Sequence, residues 1–346
     1  MKIAVFCDKF SGTLSAQEVI ESIKVNFNNA DIDADFYSIT DGGQDSTNIF
    51  LDYGFQIHEN FKLVNFENKL TSVKTLNIKN DIYFESAQLI GIDALTNTFL
   101  LNSGCIDLIV KKIDILGLGG TRTIDFGIGL LNNLGMQFIS NGETIKNPTP
   151  KIFEYITDIN LNYFNPNLAI KVLTDTNISL LGENSAFDVF GPQKGMTLSE
   201  ITNHKIAVEK LILLIGDKLK LNLDPSKEQS GAGGGLTFTL NQVLGCEVLN
   251  GSEYFLNQTS LKEKLNNYQI GIFCEGKFDS SSLNGKIIGE LLKIFKGRSY
   301  FLGGQFSFKE QNYFKNYFEC GKEGLINPLE SLNFATKELI KELNMN

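Results

Sequence analysis

Acidic residues follow four short apolar stretches of the chain, at the point where each stretch ends. These acids are Asp8, Asp41, Asp175 and Glu275, and Asp279 follows the last of them closely. Short apolar runs of this kind predict buried strands, and the carboxyl ends of parallel strands lie along one edge of a sheet. We therefore expect these carboxylates to share one cleft. Any one of them alone is more simply a turn residue or a helix cap, so the repetition is what favours a site.

A glycine-rich loop is the second candidate, within residues 113–135, which read IDILGLGGTRTIDFGIGLLNNLG. The apolar start predicts a strand, and apolar residues at helical spacing predict a helix from about Ile124 that closes at Gly135. Backbone N–H groups at such a helix start suit a phosphate or a carboxylate. Arg122, one of two arginines in the chain, is either a further anion ligand or a surface residue. The stretch matches neither the dinucleotide-binding pattern nor the P-loop, and tight strand-to-helix packing alone would also explain its glycines.

Carboxylates beside an amide-lined loop are the groups that phosphoryl transfer uses. One acid positions or deprotonates the attacking hydroxyl, others hold Mg²⁺, and amides with Lys or Arg neutralise the phosphates. Serines 280–282 would also allow a nucleophilic hydrolase. No suitable base is visible near these serines, so phosphoryl transfer is favoured.

The composition excludes several other classes of protein. The chain has 346 residues and a net charge of −9, which argues against a nucleic-acid surface. Five scattered cysteines without a C-x-x-C pair indicate reduced thiols, and two histidines disfavour a histidine metal site or a Ser-His-Asp triad. No apolar run reaches the roughly 18–20 residues of a membrane span, and the N-terminal run is too short for a signal peptide. We expect a cytoplasmic protein.

Strands and helices must alternate to position these groups. The patterns predict strands at 2–6, 34–39, 137–139, 168–173, 268–273 and 300–302, and helices from Ser15, through 49–51, at 151–159, 197–221 and 285–295, and from Pro328. Capping boxes are expected at Ser15–Glu18 and Thr197–Glu200. Residues 55–109 alternate in short stretches, which indicates antiparallel or mixed strands in a second domain or a large insertion.

Six motifs, in this order along the chain, resemble the bacterial type I glycerate kinase family. They are DKFSGTLSA from residue 8, TDGGQDS from residue 40, residues 117–127, FGPQKG at 190–195, GAGGG at 231–235 and CEGKFDSSSLNGK from residue 274. The chain departs from the family at some positions. Arg122 replaces a small residue, and hydrophobic or smaller side chains replace polar ones at Ser11, Ile124, Ile178 and Ser281, with Phe126 at a glycine.

The resemblance implies an α/β protein of two α/β domains, one flavodoxin-like or Rossmann-like, with the active site in the interdomain cleft. We expect a discontinuous domain of residues 1–60 with 265–346, and an inserted domain of residues 61–264 with a mixed sheet. The implied activity is ATP- and Mg²⁺-dependent phosphorylation of a hydroxyl of D-glycerate, giving phosphoglycerate. The sequence leaves open whether the 2- or the 3-hydroxyl is phosphorylated, and which oligomer forms.

The resemblance also implies a set of site residues. Asp175, Asp8 and Asp279 are the candidate catalytic acids, and Asp175 and Glu275 are the candidate metal ligands. Asp175 is the first choice for the base, because burial of its strand would raise its basicity. Candidate residues for binding substrate or phosphate are Asp41, Gly42, Gly119, Gly120, Thr121, Arg122, Lys194 and Gly276.

Two rival interpretations stay open. The departures at Ser11, Ile124, Ile178 and Ser281 favour a diverged, non-catalytic relative that binds a small hydroxy acid or a nucleotide. A kinase that acts on another small hydroxy acid is the third possibility.

Overall fold

The computed structural model describes residues 2–283, 285–307 and 313–345, so residue 284 of the last motif lies outside it. The strands, numbered in chain order, are β1 (Ile3–Cys7), β2 (Asp35–Ser38), β3 (Gln56–Val64), β4 (Leu70–Ile78), β5 (Asp81–Glu85), β6 (Ile115–Gly117), β7 (Gln137–Ser140), β8 (Glu143–Ile145), β9 (Asp158–Asn160), β10 (Lys171–Thr174), β11 (Glu247–Asn250), β12 (Ile270–Phe278), β13 (Arg298–Phe306) and β14 (Asn316–Glu319). The α-helices are α1 (Ala16–Asn29), α2 (Ser46–Asp52), α3 (Ala87–Ile90), α4 (Asp107–Val110), α5 (Ile128–Asn133), α6 (Ala186–Phe190), α7 (Leu198–Leu219), α8 (Leu236–Phe238), α9 (Gly251–Thr259), α10 (Leu261–Lys264), α11 (Ile287–Ile294) and α12 (Pro328–Met345). The alternation of parallel strands and helices confirms the α/β class.

The chain divides into two compact units, and the first contains residues 1–41 and 252–346. Its sheet has the strand order β14-β13-β12-β1-β2, and every neighbouring pair in it is parallel. β1 is buried along its whole length, as an interior parallel strand should be. Helix α1 begins at the predicted capping box, where the Ser15 side chain accepts the Glu18 N–H and Glu18 bonds back to Ser15. Helices α1 and α12 pack on this sheet through side chains such as Ile23 and Leu339.

The second unit contains residues 42–251. Its larger sheet has the order β11-β10-β6-β5-β4-β3, in which β11 to β5 are parallel and β5-β4-β3 are antiparallel. A small antiparallel sheet, β8-β7-β9, accompanies it. The mixed strands predicted for residues 55–109 are therefore confirmed. Helix α7 begins at the predicted Thr197–Glu200 capping box.

Several local predictions were wrong. Residues 151–159 do not form an α-helix, since a 3₁₀ turn (Pro150–Tyr155) leads into β9, which pairs with β7. The helix expected from Ile124 begins at Ile128, because Phe126 and Gly127 both have positive φ, at 37° and 90°. On helix α7 Ile206 is 62% exposed, whereas His204 lies on the buried face.

Candidate functional site

The acids of the first unit lie at one edge of its sheet. Cys7 of β1 is in register with Cys274 of β12 and with Ser38 of β2, so Asp8 follows at the carboxyl end of the ladder. The Asp8 N–H donates to the Cys274 carbonyl at 2.9 Å, which extends the β1–β12 ladder to the acid. Glu275 therefore lies next to Asp8 along this edge. We call Asp8, Asp41 and Glu275, together with Lys286, the acid cluster.

Glu275 is inside a strand rather than at its end, which corrects the sequence prediction. β12 continues to Phe278, because β13 pairs with it through Glu275↔Gly303 and onward to Phe278↔Phe306. Gly276 is predicted to contact substrate, and close packing of the neighbouring backbone also favours glycine at this position. A Cβ atom there would lie 3.1 Å from Phe10 Cα and 3.3 Å from Ser11 N, so the loop after β1 packs directly on this strand.

Asp8 is a carboxylate that titrates near neutral pH. Burial raises its pKa to about 7, and the negative charge of Asp41 adds to the rise. The charges of Lys9 and Lys286 act in the opposite direction, as does the Lys9 N–H, which donates to Asp8 Oδ1 at 2.8 Å. A carboxylate with a pKa near 7 suits proton exchange with a hydroxyl.

Glu275 is more deeply buried, at 6% exposure. Burial raises its pKa to about 8, although Lys286 opposes the rise with its Nζ atom 3.8 Å from Glu275 Oε1. Its Oε2 atom is buried and has no hydrogen-bond partner within the described ranges. The carboxyl group therefore carries a proton at neutral pH unless a cation takes the proton's place.

Asp279, the third candidate catalytic acid, belongs to a local turn. Burial opposes its ionisation, but hydrogen bonds from Ser281 and Lys277 hold its pKa below the usual value. The Ser281 hydroxyl donates to Asp279 Oδ1 at 2.7 Å, and Lys277 Nζ lies 3.0 Å from Oδ2. Asp279 is thus a charged, hydrogen-bonded carboxylate directly after β12.

The glycine loop of the second unit, residues 117–126, is called the amide loop from here on. Its glycines are required by packing: a Cβ atom at Gly117 would lie 2.3 Å from the Gly42 carbonyl oxygen, and one at Gly119 would lie 2.8 Å from Gly43 Cα. The two predicted glycine motifs of this unit are therefore in contact. Tyr83 Oη donates to the Gly42 carbonyl at 3.1 Å and holds the turn in place.

The amides of the loop are left without acceptors. Across the described residues, the N–H groups of Gly119, Gly120 and Thr121 donate to no protein atom. The Arg122 guanidinium likewise makes no hydrogen bond or ion pair in that part of the chain, and its Nε atom is buried. Unpaired backbone amides and an unpaired guanidinium are both groups that suit an oxyanion.

Lys194 lies under the amide loop. It is 5% exposed, and its Nζ atom donates to the Thr123 carbonyl at 2.8 Å. Burial lowers its pKa to about 7, and the charge of Arg122 lowers it further while that of Asp125 raises it. The structure therefore places this predicted anion ligand in contact with the backbone of the loop.

Asp125 and Glu85 were not among the predicted site residues. Asp125 is fully buried and its Oδ2 atom accepts from Ser103 N, Ser103 Oγ and Gly129 N at 2.8, 2.8 and 3.0 Å. Glu85, the last residue of β5, accepts from the amides of Asp45 and Thr47 at 2.8 and 2.9 Å. Burial raises the pKa of both carboxyls. Asp125 lies within the 117–127 motif, and the strand-end rule would have found Glu85.

Asp175 is a half-buried residue directly after β10. Leu173 of this strand is in register with Gly117, and the Leu118 N–H donates to the Leu173 carbonyl at 2.9 Å. Asp175 and the amide loop therefore share the carboxyl edge of the larger sheet in this unit.

The residues present are compatible with a Mg²⁺ ion that is held jointly by the protein and by the phosphates of a substrate. No group of three or more His, Cys, Asp or Glu side chains within the described ranges could hold a metal by itself. Mg²⁺ in kinases is usually held by one or two carboxylates together with phosphates and water. The unpaired, buried Oε2 atom of Glu275 fits one such ligand.

None of the described helices is long and apolar enough to cross a bilayer.

The parallel strands and the helices that alternate with them place this chain among the α/β proteins. The model of the Glycerate kinase family matches residues 3–304, and the chain belongs to that family. It is 28% identical to the Glycerate 2-kinase of Escherichia coli (strain K12), over 83% of this chain and 80% of that protein. It is 24% identical to the Glycerate kinase of Bacillus subtilis (strain 168), over 83% and 79% of the two chains.

A solved structure shares the fold. A protein assigned as glycerate kinase 2 from Salmonella typhimurium LT2 superposes with a TM-score of 0.70, at 22% identity, over all of this chain and 98% of that one. The family match confirms the resemblance found in the sequence motifs.

Proposed function

We propose that this protein is an ATP-dependent kinase that phosphorylates a hydroxyl of D-glycerate and releases phosphoglycerate and ADP. The observation that carries the proposal is the amide loop, where three free amides and the unpaired Arg122 offer charge neutralisation to an oxyanion. The match to the Glycerate kinase family and relatives named glycerate kinase support glycerate as the acceptor.

The base is a carboxylate that takes the proton of the attacking hydroxyl. The hydroxyl oxygen forms a bond to the γ-phosphorus as the bond from that phosphorus to the ADP oxygen breaks. Asp175 was the first choice for this role from the sequence. The pKa of Asp8, raised to about 7, favours Asp8 instead, because a base works best when its pKa lies near the working pH. Asp279 is better suited to a fixed charge, since Ser281 and Lys277 already bind it.

Mg²⁺ would supply neutralisation of phosphate charge when it is bound. Of the two predicted ligands, Glu275 is supported by its buried Oε2 atom, which lacks a hydrogen-bond partner among the described residues. Asp175 keeps its predicted role as a half-buried carboxylate at a strand end. The proposed partners are glycerate and ATP, and the free cysteines of the chain support the cytoplasm as its location.

The test is ADP release from ATP and Mg²⁺ by the purified protein, with and without D-glycerate, with tartronate and lactate as alternative acceptors. Release that depends on D-glycerate supports the proposal, and NMR of the product identifies the phosphorylated hydroxyl. Faster release with another acid would assign that acid as the substrate. Ligand-induced thermal stabilisation without any turnover would favour the non-catalytic relative.

A further inference from the structure

Side chains from four separate parts of the second unit bind four of the five carbonyl groups of residues 122–126. The bonds run from Thr98 Oγ1 to Arg122 O at 2.6 Å, from Lys194 Nζ to Thr123 O at 2.8 Å, from His204 Nε2 to Ile124 O at 2.8 Å, and from Thr239 Oγ1 to Phe126 O. These donors are far apart in sequence, yet they meet on one short segment. Such a set fixes the peptide planes of the segment.

His204 is the most constrained of these donors. It is 3% exposed on α7, and its imidazole lies among the rings of Phe99, Phe153 and Phe187, with centroids 5.6, 5.7 and 4.7 Å away. Burial lowers its pKa to about 4, so the ring is neutral at neutral pH. Since a carbonyl only accepts hydrogen bonds, the proton of the neutral ring is on Nε2.

Fixing the carbonyl groups matters because the free amides lie just before them. Amides that already point to the ligand position bind an oxyanion without the cost of reorganising the loop. If the segment were released, its peptide groups would rotate, and the neighbouring backbone that carries the amides of Gly119, Gly120 and Thr121 would be less constrained. The donors that bind carbonyls 122–126 would therefore act on affinity without touching the ligand.

We propose that His204, acting through the Ile124 carbonyl, is a positioning residue for oxyanion binding at the amide loop. Lys194 donates to the Thr123 carbonyl of the same segment. The inference rests on the proposed function only for the identity of the oxyanion, which is either a nucleotide phosphate or the carboxylate of the acceptor. It extends that function by assigning a role to His204, which lies outside the six sequence motifs.

The test compares His204→Leu, which removes the donor, with His204→Gln, whose side-chain amide keeps one near the Nε2 position. Dissociation constants for ADP, D-glycerate and inorganic phosphate are measured by calorimetry well below the melting temperature of each variant. We expect His204→Leu to weaken binding of at least one probe about tenfold, and His204→Gln to stay within about threefold of wild type. Thr75→Val is the matched control, because the Thr75 hydroxyl also donates to a backbone carbonyl in this unit, that of Glu59 at 3.3 Å. It should lower the melting temperature without changing any dissociation constant.

Each outcome bears on the proposal. If the His204→Leu protein is less stable but binds every probe as tightly as wild type, or if wild type binds none of them, the inference is wrong. If His204→Leu does not fold, Thr98→Val, which removes the donor to the Arg122 carbonyl, provides the same comparison and should weaken the same probe. An effect on ADP alone identifies the oxyanion as a nucleotide phosphate, and an effect on D-glycerate alone identifies a carboxylate.

Failure of the inference and failure of the proposed function give different results. Wild-type protein that binds ADP without turning over glycerate, together with weaker binding by His204→Leu, would refute the kinase and support the positioning role. Normal glycerate-dependent turnover by His204→Leu, with unchanged KM values, would support the kinase and refute the positioning role.

Discussion

Replacing Gly234 with alanine should destabilise the second unit through a clash with the amide loop. Gly234 has φ +65°, and a Cβ atom built on it would lie 1.9 Å from the Thr123 carbonyl oxygen and 2.8 Å from the Thr123 carbonyl carbon. This is the carbonyl that Lys194 binds. Both neighbouring atoms belong to the backbone, so the segment itself must move to admit the methyl group.

The cost of Gly234→Ala has two parts. A non-glycine residue in the left-handed region costs about 1–2 kcal/mol. Overpacking of a well-packed site adds about 1–3 kcal/mol, which gives a total of about 2–5 kcal/mol. Gly142→Ala is the matched control, because Gly142 has φ +81° and no atom within 4 Å of the added Cβ. Gly142→Ala should therefore lose only about 1–2 kcal/mol, the cost of the left-handed backbone.

The assay is urea denaturation followed by circular dichroism, with calorimetric binding of ADP and D-glycerate to the folded variants. We expect Gly234→Ala to lose about 1–3 kcal/mol more than Gly142→Ala, and to bind the oxyanion more weakly. Equal destabilisation by the two variants would refute the packing argument. Unchanged binding by a clearly destabilised Gly234→Ala protein would refute the link between this contact and the loop.

Three further predictions concern titration. Folding lowers the pKa of His204 from 6.5 to about 4, so between these two pH values the unfolded chain binds more protons than the folded chain. The free energy of unfolding should therefore drop by up to about 3 kcal/mol as the pH falls from 6.5 to about 4. Denaturation of His204→Gln across pH 4–7 should lack this drop, and an equal drop would contradict the assignment. Folding raises the pKa of Glu275 from 4.5 to about 8, so between these two pH values the folded chain binds more protons than the unfolded chain. The wild-type protein should therefore lose stability as the pH rises from 4.5 to about 8. Glu275→Gln should therefore be the more stable protein at pH 9, on the order of 3–5 kcal/mol, and a less stable variant would argue against a protonated carboxyl. Asp8→Asn should lower kcat about 10²–10⁴-fold, and at pH 7 and above it should raise the melting temperature, because it removes a carboxylate whose ionisation is opposed by burial. With wild type, kcat/KM should fall as the pH drops below about 7, and activity independent of pH from 5 to 8 would remove Asp8 from the base role.

Local signals in the sequence predicted the features that depend on neighbouring residues. Both capping boxes are present, because a Ser or Thr and a Glu three residues later satisfy each other without help from the rest of the chain. Asp8 and Asp175 follow buried strands as predicted, since an apolar run and the polar residue after it are also a local pattern.

Features that depend on distant contacts were not predictable. Glu275 lies inside β12 because β13 pairs with the polar end of that strand, and nothing local to 274–278 indicates it. Helix α5 begins late because the Phe126 N–H donates to the Gly234 carbonyl, more than 100 residues away. His204 takes a position that periodicity would give to an apolar residue, since the Ile124 carbonyl offers it an acceptor.

Glycerate kinase activity is tested most directly by ³¹P NMR of wild-type protein mixed with ATP, Mg²⁺ and D-glycerate. We expect a phosphoglycerate resonance to grow at the same rate as those of ADP, with no ADP formed when D-glycerate is left out. Folded protein that leaves the ATP resonances unchanged, or that releases inorganic phosphate in place of phosphoglycerate, would contradict it.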